Sequence, residues 1–501
     1  MNLLLDNWVP VQKKGISETI SLKRLLCQDE DRQLCLPRDD MELAALQLIV
    51  CLVQVVFMPD NAKQLQKNNS ELMLESDYDK AIASYSDWFD LLHPTQPFMQ
   101  SARVKVEKNA KNWASLQKLF VGLPEKTASS IAFFNTGAEV KGCDLGLAAI
   151  ALFQQATNGF SLGGAPFSVG LKGSMPLTTL IYDSKNSLRS NIWKNILHKE
   201  FLLEKTSLLD GITCTEPSWV TPISFDKSKP ESTHRISLLR GLFWQPAKVK
   251  LTVENDLATG FLKETGLSFS QHYWEHPHTP IDQAKLAKND PKEKPYLSAR
   301  NDLPLWGQML ELLYSKKTDE EGVSAALVVQ QFSTVFRGQP GKQTPLHLAV
   351  GAYVKGGSAE KLAGRKHEIY SLPSGWENQG AAMKQLTNYG LDAQRILNTA
   401  VYNFGRHLKA EGSDKGQEGS NLIKKQLQPK ARADYFNNSE AVMHSILRQL
   451  EFSDDQHYKQ AFTQLAKETF EKLFAPYQHE AKFQKAIIIS RATMNNALKA
   501  L

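Results

Sequence analysis

The strongest candidate for chemistry in this chain is Gly159-Phe160-Ser161-Leu162-Gly163, which matches the G-x-S-x-G elbow that carries the nucleophile of serine hydrolases. That mechanism needs a strand before the serine and a helix after it, so that the hydroxyl stands above an oxyanion hole. Residues 144–157 before it are helical in composition and period, and the string GAP follows at 164–166. A helix that ends at a glycine is typical of a C-cap. The sequence therefore predicts a non-catalytic loop around Ser161.

Two other motifs have the right residue types for a nucleotide or metal site but the wrong spacing. The string GQPGK at 338–342 is shorter than a P-loop, and Gln343 stands where a metal-binding Ser or Thr would follow. His276 and His278 have no second ligand pair at zinc spacing, and the prolines on either side of His278 favour a rigid packed corner. We therefore expect no enzymatic activity, no metal and no cofactor.

Loops rich in glycine, lysine and aromatic residues are the remaining candidates. Residues 159–176 could bring backbone N–H groups close to a phosphate or a groove floor, because glycines approach without a Cβ clash, and Lys172 could add charge. The string SIAFFNTG at 130–137 could stack its two phenylalanines on bases, although such a pair lies more often in a core. The stretch from Lys355 to Ala359 resembles a hairpin tip and is most often only a turn.

The overall composition is that of an ordinary globular protein with slightly more basic than acidic residues. The 501 residues are 42% hydrophobic and 22% charged, and the formal net charge is +6. This charge neither demands nor excludes a polyanionic partner. Basic residues do gather over 103–118 and over 421–433, where they form either solvated faces or phosphate contacts.

The cysteines and the apolar runs indicate the compartment. The five cysteines are widely spaced and form no C-x-x-C pair, which indicates neither a zinc ribbon nor a disulfide framework. The N-terminal residues lack the basic region of a signal peptide. The most apolar run, 43–58, is interrupted by Gln47 and Gln54 and is shorter than the roughly 20 residues of a membrane span. We expect a cytoplasmic protein without a membrane partner.

The elements that must position these loops divide the chain into two domains. Over 1–370, strand-like pieces such as 7–12 and 248–254 alternate with helix-like pieces, including an apolar helix at 39–57 that Asp39 could cap. Over 376–501, four amphipathic helices predict an antiparallel bundle. The fold class is therefore α+β, with a large irregular mixed N-terminal domain followed by a C-terminal antiparallel four-helix bundle.

Several strings taken together resemble the CasA (Cse1) family, the large subunits of the type I-E CRISPR surveillance complex, Cascade. The matching strings occur in order along nearly the whole chain: NLLLDNWVPV (2–11), LPRDDMELAAL (36–46), QPFMQ (96–100), AIALFQQA (149–156), RGLFWQPA (240–247), TGFLKE (259–264), HPHTP (276–280) and SRAT (490–493). The resemblance implies a non-catalytic nucleic-acid-recognition subunit. Its implied partners are guide RNA, double-stranded target DNA, other Cascade subunits and the helicase-nuclease that destroys the target.

The resemblance also implies roles for two loops. The family loop that contacts the 5′ handle of the guide and docks the subunit into the complex falls on Phe133, Phe134 and Asn135. The family's glycine loop, which approaches the minor groove of the protospacer-adjacent motif (PAM), falls on Ser161, Leu162, Gly163, Gly164 and Ala165. Readout of the minor groove is degenerate, so we expect loose PAM specificity. The resemblance also implies support for R-loop formation.

Two positions depart from the family pattern. Thr265 stands where the family has a lysine finger, and Lys263 lies close by. No glutamine occupies the region of the family's glutamine wedge, where this chain has Lys355, Gly356 and Gly357. Lys355 could act there as a charged wedge. The four-cysteine zinc insertion of some relatives is missing from the sequence, so no metal is carried over.

Three alternatives remain open at this point. The chain could be an architectural Cascade subunit with little PAM reading, a serine hydrolase that uses Ser161, or an autonomous helix-bundle binding protein. A PAM-library depletion assay, labelling by a serine-reactive probe and a test of guide-RNA dependence separate them.

Overall fold

The structure is a computed structural model of the 501-residue chain. It describes residues 1–28, 31–107, 111–122, 140–159, 170–172, 175–210, 212, 215–222, 236–245, 248–264, 274–288, 295–315, 323–338, 344–355, 362–410, 423–449 and 455–501. The chain forms two compact units. The first consists of Met1–Asn301, Glu311–Gly341 and His347–Ile369, and the second of Asp302–Leu310, Lys342–Leu346 and Tyr370–Leu501.

Eleven described helices precede the C-terminal region, and most are short. They are α1 Leu22–Cys27, α2 Asp39–Val56, α3 Ala62–Ser70, α4 Glu75–Ile82, α5 Leu145–Thr157, α6 Leu188–Lys194, α7 Lys199–Lys205, α8 Leu238–Leu242, α9 Gln283–Lys288, α10 Met309–Leu313 and α11 Leu327–Val335. Short 3-10 turns occur at Ser86–Phe89, Leu116–Leu119, Leu305–Gln308 and Trp376–Asn378.

Twelve described strands form four small sheets. They are β1 Asn7–Lys13, β2 Ile16–Ser21, β3 Gln33–Leu34, β4 Trp113–Ser115, β5 Cys143–Asp144, β6 Thr178–Ile181, β7 Lys248–Glu254, β8 Leu257–Glu264, β9 Ile281–Asp282, β10 Val323–Ser324, β11 Leu346–Lys355 and β12 Leu362–Leu372. The orders are β2-β1-β3, β10-β9, β12-β11-β6 and β4-β8-β5, and β7 also pairs with β8. In the antiparallel pair of β11 and β6, Leu348 lies opposite Ile181 and Gly351 opposite Thr178.

Helices α2 and α5 pack against each other in the core of the first unit. The predicted apolar helix at 39–57 is confirmed as α2, which is buried from Leu43 to Gln54. Asp39 does not cap it: Arg38 is the N-cap residue and Asp39 lies in the first turn, where a carboxylate stabilises the helix dipole. The predicted helix before Gly159 is confirmed as α5, whose N-cap Asp144 accepts a hydrogen bond from the backbone N–H of Leu147.

The second unit is helical. A π-helical turn at Ile423–Leu427 precedes the second of its four long helices, which are α12 Gly380–Ala410, α13 Gln428–Gln449, α14 Asp455–Phe474 and α15 Ala481–Lys499. Helix α12 contacts each of the other three. The predicted amphipathic character is confirmed in α12, which is buried at intervals from Met383 to Phe404, and in α15, where Met494 is buried and Ala492 is exposed. The mixed α+β class with a helical C-terminal region is confirmed; the antiparallel order of the helices stays a prediction.

Along the parts of the chain that the structure describes, no helix combines the length and the apolar character needed to cross a membrane.

Candidate functional site

Most of the predicted site residues fall outside the described residues. Three stretches contain them: the aromatic segment (123–139), the glycine segment (160–169) and the hairpin segment (356–361). The residues concerned are Phe133, Phe134, Asn135, Ser161, Leu162, Gly163, Gly164, Ala165, Gly356 and Gly357, and Thr265 also lies outside. The structure describes Lys172, Lys263 and the backbone of Lys355. The site is therefore built from the residues at which these segments begin and end.

Helix α5 ends where the glycine segment begins. The backbone N–H groups of Asn158 and Gly159 both donate to the carbonyl of Gln154, at 2.9 and 3.1 Å, which confirms the predicted C-cap. After the segment, Gly170 lies so close to α5 that a Cβ there would be 2.5 Å from the carbonyl oxygen of Ala156. Because a helix and not a strand precedes Ser161, the context that a hydrolase elbow requires is missing.

A buried amide cluster (Gln47, Asn158, Lys172, Thr178, His278) lies beneath this helix end. The amide of Asn158 donates to Gln47 at 2.8 Å, and its oxygen accepts from Lys172 Nζ at 3.0 Å and from Thr178 at 2.9 Å. Gln47 Nε2 lies 3.2 Å from His278 Nδ1. Every member is at most 8% exposed, so the cluster fixes both sides of the glycine segment to the core.

The electrostatics of this cluster disfavour charge. Burial lowers the pKa of Lys172 to about 7, and burial together with the nearby lysine lowers the pKa of His278 to about 3. The prediction that Lys172 offers its charge to DNA needs correction, because the side chain is 4% exposed and lies inside the protein. The packed corner predicted at the two histidines is confirmed by a hydrogen bond from the His278 backbone N–H to His276 Nδ1, 3.1 Å long.

A second polar cluster, the Asp40 junction (Arg38, Asp40, Gln154, Tyr353, Arg365), joins α2, α5, β11 and β12. Asp40 Oδ2 accepts from Tyr353 Oη at 2.5 Å and from Arg38 Nη2 at 2.5 Å, and Asp40 Oδ1 accepts from Arg365 at 3.3 Å. Gln154 Nε2 donates to Tyr353 Oη at 2.6 Å and lies 3.2 Å from Asp40 Oδ2. The carboxylate is thus the common acceptor for four side chains.

The junction keeps Asp40 ionised although its side chain is only 10% exposed. Burial acts to raise the pKa of Asp40, but the hydrogen bonds from Arg38 and Tyr353 outweigh it, so the pKa lies below its ordinary value. Burial, followed by the charge of Asp40, raises the pKa of Tyr353 well above its ordinary value, so the phenol stays a donor. A cavity of about 20 Å³ beside the junction holds roughly one water molecule and is too small for a ligand.

Apolar side chains next to the three undescribed segments also pack against one another. Val121, Met175 and Tyr353 form a buried cluster, and Leu362 packs against it. Val121 stands shortly before the aromatic segment, Met175 follows the glycine segment, and Tyr353 and Leu362 flank the hairpin segment. Arg38 Nη2 also donates to the carbonyl of Val121 at 2.7 Å, which ties the junction to this cluster. Residues before the aromatic segment, after the glycine segment and on both sides of the hairpin segment therefore meet in one place.

Lys263 belongs to another sheet. It lies near the end of β8, where its backbone N–H donates to the carbonyl of Asn112 at 2.9 Å, and its side chain is half-buried. Lys248 and Glu264 form an ion pair of 3.4 Å beside it. The sequence reasoning singled out Lys263 but missed Asp40 and Tyr353. The pair of aspartates at the start of α2 is the sequence feature from which Asp40 could have been found.

Comparison with known proteins gives the family. Residues 2–474 match the family model described as CRISPR-associated protein Cse1. The chain belongs to this family, as the resemblance predicted. Its fold is similar to that of CasA from Thermus thermophilus, with a TM-score of 0.75, 15% identity and 100% of both chains covered.

Two further solved structures have a similar fold. Thermobifida fusca Cse1 has a TM-score of 0.72 at 17% identity, over 100% of this chain and 98% of that one. A chain of a structure described as a CRISPR RNA-guided surveillance complex has a TM-score of 0.64 at 14% identity, over 99% of both chains.

Proposed function

We propose that the chain is the non-catalytic large subunit of a type I-E CRISPR surveillance complex, Cascade. Membership of the Cse1 family and the fold shared with a chain of an RNA-guided surveillance complex support this proposal. The observation that carries it is the meeting of three segment ends around Tyr353, because nucleic-acid contacts made by separate loops need one common support.

In this proposal the aromatic segment docks the subunit. Phe133, Phe134 and Asn135 contact the 5′ handle region of the guide RNA, since aromatic rings stack on unpaired bases and an amide can hydrogen-bond a base edge. The contact holds the chain beside the other Cascade subunits.

The glycine segment reads DNA. Ser161 to Ala165 approach the minor groove of the PAM in duplex target DNA, where residues without bulky side chains let the backbone come close. The degenerate pattern of that groove gives loose specificity, while phosphate contacts supply affinity and its dependence on salt.

The remaining candidates assist in opening the strands. Lys263 and Thr265 stand in the region of the family's lysine finger, and Lys355, Gly356 and Gly357 in that of its wedge. Lys172 is left out because of its burial. R-loop formation and recruitment of the helicase-nuclease complete the proposed role.

We also propose that α12 to α15 form an antiparallel bundle. The connections from α13 to α14 and from α14 to α15 are short relative to these long helices, and short connections favour antiparallel neighbours.

The experiment replaces Gly163 with Asp in the guide-loaded complex. A carboxylate there repels DNA phosphates and fills space at the groove floor, so we expect the affinity for PAM-containing duplex to fall about tenfold or more. The variant Ala492→Asp adds the same charge to an exposed position of α15 and should keep wild-type affinity. Gel-shift titration measures both.

Unchanged duplex binding by the Gly163→Asp complex contradicts DNA reading by this segment. Equal binding of PAM and non-PAM duplexes by the wild-type complex favours the purely architectural subunit instead.

A further inference from the structure

We propose that Asp40 is a positioning residue for PAM recognition. It is the acceptor that holds the ends of the glycine and hairpin segments in fixed relation to each other and to the aromatic segment. This inference rests on the proposed function of those segments. It also gives a role to Asp40 in LPRDDMELAAL, a string that the DNA and RNA contacts leave unused.

The Asp40 carboxylate accepts hydrogen bonds from elements that are far apart in the sequence. Tyr353 stands two residues before Lys355, the last residue described ahead of the hairpin segment, and donates to Asp40. Gln154 stands one turn before the end of α5, and its amide reaches both Tyr353 and Asp40. The residues that lead into the two proposed DNA-contacting segments therefore donate hydrogen bonds to the same atom, Asp40 Oδ2.

Arg38 connects the junction to the residues that lead into the aromatic segment. Arg38 binds Asp40 through two nitrogens, at 2.8 and 2.5 Å, and uses the second of them to reach the carbonyl of Val121. Next to Val121, Gly122 has a φ of +85°, and a Cβ on it would lie 3.1 Å from Leu362. The end that leads into the aromatic segment therefore packs directly against the strand that leaves the hairpin segment.

Recognition of the PAM requires that these contacts are held in fixed positions. Contacts to a groove floor must be held to within about 0.5 Å by residues whose own positions are fixed by packing and hydrogen bonds. Charge-assisted hydrogen bonds are shorter and stronger than neutral ones, which suits the bidentate Arg38 pair to this task. When the junction loses one hydrogen bond, the segments keep their chemical groups but are no longer held in fixed relation to one another. Discrimination between PAM and non-PAM duplexes therefore falls, while base pairing of the target with the guide is kept.

The test uses the guide-loaded complex with two variants, Tyr353→Phe and Asp40→Asn. Tyr353→Phe removes one hydroxyl and keeps the packing of the ring, so it remains informative if Asp40→Asn fails to fold. The matched control Tyr402→Phe removes the same group from a tyrosine that is 46% exposed in the second unit. Dissociation constants are measured for a PAM duplex, a non-PAM duplex and a single-stranded complementary target.

We expect each junction variant to lower the ratio of PAM to non-PAM affinity about tenfold, the size of one lost hydrogen bond to a charged group. Binding of the single-stranded target should stay at the wild-type value, because it depends on base pairing with the guide. Tyr402→Phe should match the wild type in all three titrations.

Three results overturn the inference. If the wild-type complex discriminates PAM and Tyr353→Phe does so equally well, the junction has no positioning role and the proposed function stands. If the junction variants lose single-stranded binding to the same extent, their role is only structural. If the wild-type complex itself shows no discrimination, the proposed function and the inference fail together.

Discussion

The two polar clusters of the first unit respond to burial in opposite ways. The Asp40 junction keeps its charge: hydrogen bonds from Arg38 and Tyr353 hold the pKa of the Asp40 carboxyl below its ordinary value. The buried amide cluster disfavours charge: burial lowers the pKa of Lys172 to about 7 and that of His278 to about 3. Both clusters lie next to the ends of the glycine segment, so an ionic network and a neutral network support neighbouring residues of the same part of the chain.

The two clusters differ in their response to burial because only the Asp40 junction contains partners of opposite charge. Asp40 has two arginines as partners, whereas the partners of Lys172 Nζ and of the His278 ring are side-chain amides. An ion buried without a counter-charge is costly, so burial favours the neutral forms of Lys172 and His278 in the amide cluster. The first unit should therefore lose stability when the Asp40 carboxylate is removed, and it should gain stability when Lys172 is replaced by a side chain that carries no charge.

The largest expected effect follows from Asp40→Ala. Removal of the carboxylate leaves Arg38, Tyr353 and Gln154 without their common acceptor, and breaking a buried ion pair in this way typically costs about 3–5 kcal/mol. We expect the free energy of unfolding to fall by about this amount in urea titrations followed by circular dichroism. A loss below about 1 kcal/mol, the range of exposed pairs, would show that the junction is not the strong network described here.

The next effect follows from Lys172→Met and depends on pH. The pKa of Lys172 is about 7 in the folded chain against an ordinary value of 10.5, so between these pH values the unfolded chain binds one more proton. Stability therefore rises with pH, by at most about 1.4 kcal/mol per pH unit, and this gain is lost as the pH falls toward 7. The free energy of unfolding of Lys172→Met should be higher than that of the wild type at pH 7, by on the order of 3 kcal/mol. The difference should be smaller at pH 9.

Urea titrations at pH 7, 8 and 9 check this dependence. The exposed Lys499→Met is the control and should follow the wild type at each pH. An excess of Lys172→Met that stays constant from pH 7 to pH 9 would mean that the buried lysine is not the titrating group.

The smallest effect is expected for Asp39→Asn, one residue from the junction carboxylate. Asp39 lies 2.6 Å from Arg365, but both side chains are about two-fifths exposed, at 40% and 39%. Exposed ion pairs typically contribute between about 0.2 and 1 kcal/mol. The same urea titrations should give a loss in this range that shrinks in high salt. A loss as large as that of Asp40→Ala would remove the distinction between the two aspartates.

The sequence predicted elements whose signal is local. Helices α2 and α5 and strands β1 and β7 were predicted because hydrophobic periodicity and turn residues are read within a short window. The amphipathic pattern of residues 376–501 predicts the helices of the second unit in the same way. The family was predicted from strings spread along the whole chain.

The missed features depend on distant parts of the chain. Tyr353 and Arg365 lie more than 300 residues after Asp40, and no local pattern pairs them with it. The glycine-rich string around Lys172 predicts a loop cation, yet its burial is decided by α5, β6 and the histidine corner around it. Tertiary packing, which the sequence does not display, decides whether such a polar side chain lies inside or outside.

The most direct measurement places a photo-crosslinking amino acid at Leu162 in the guide-loaded complex bound to an end-labelled PAM duplex. We expect crosslinks to the base pairs of the PAM, because we propose that the glycine segment contacts that groove. Crosslinks that map only to protein subunits, with none to the duplex, would contradict the central claim that this segment reads DNA.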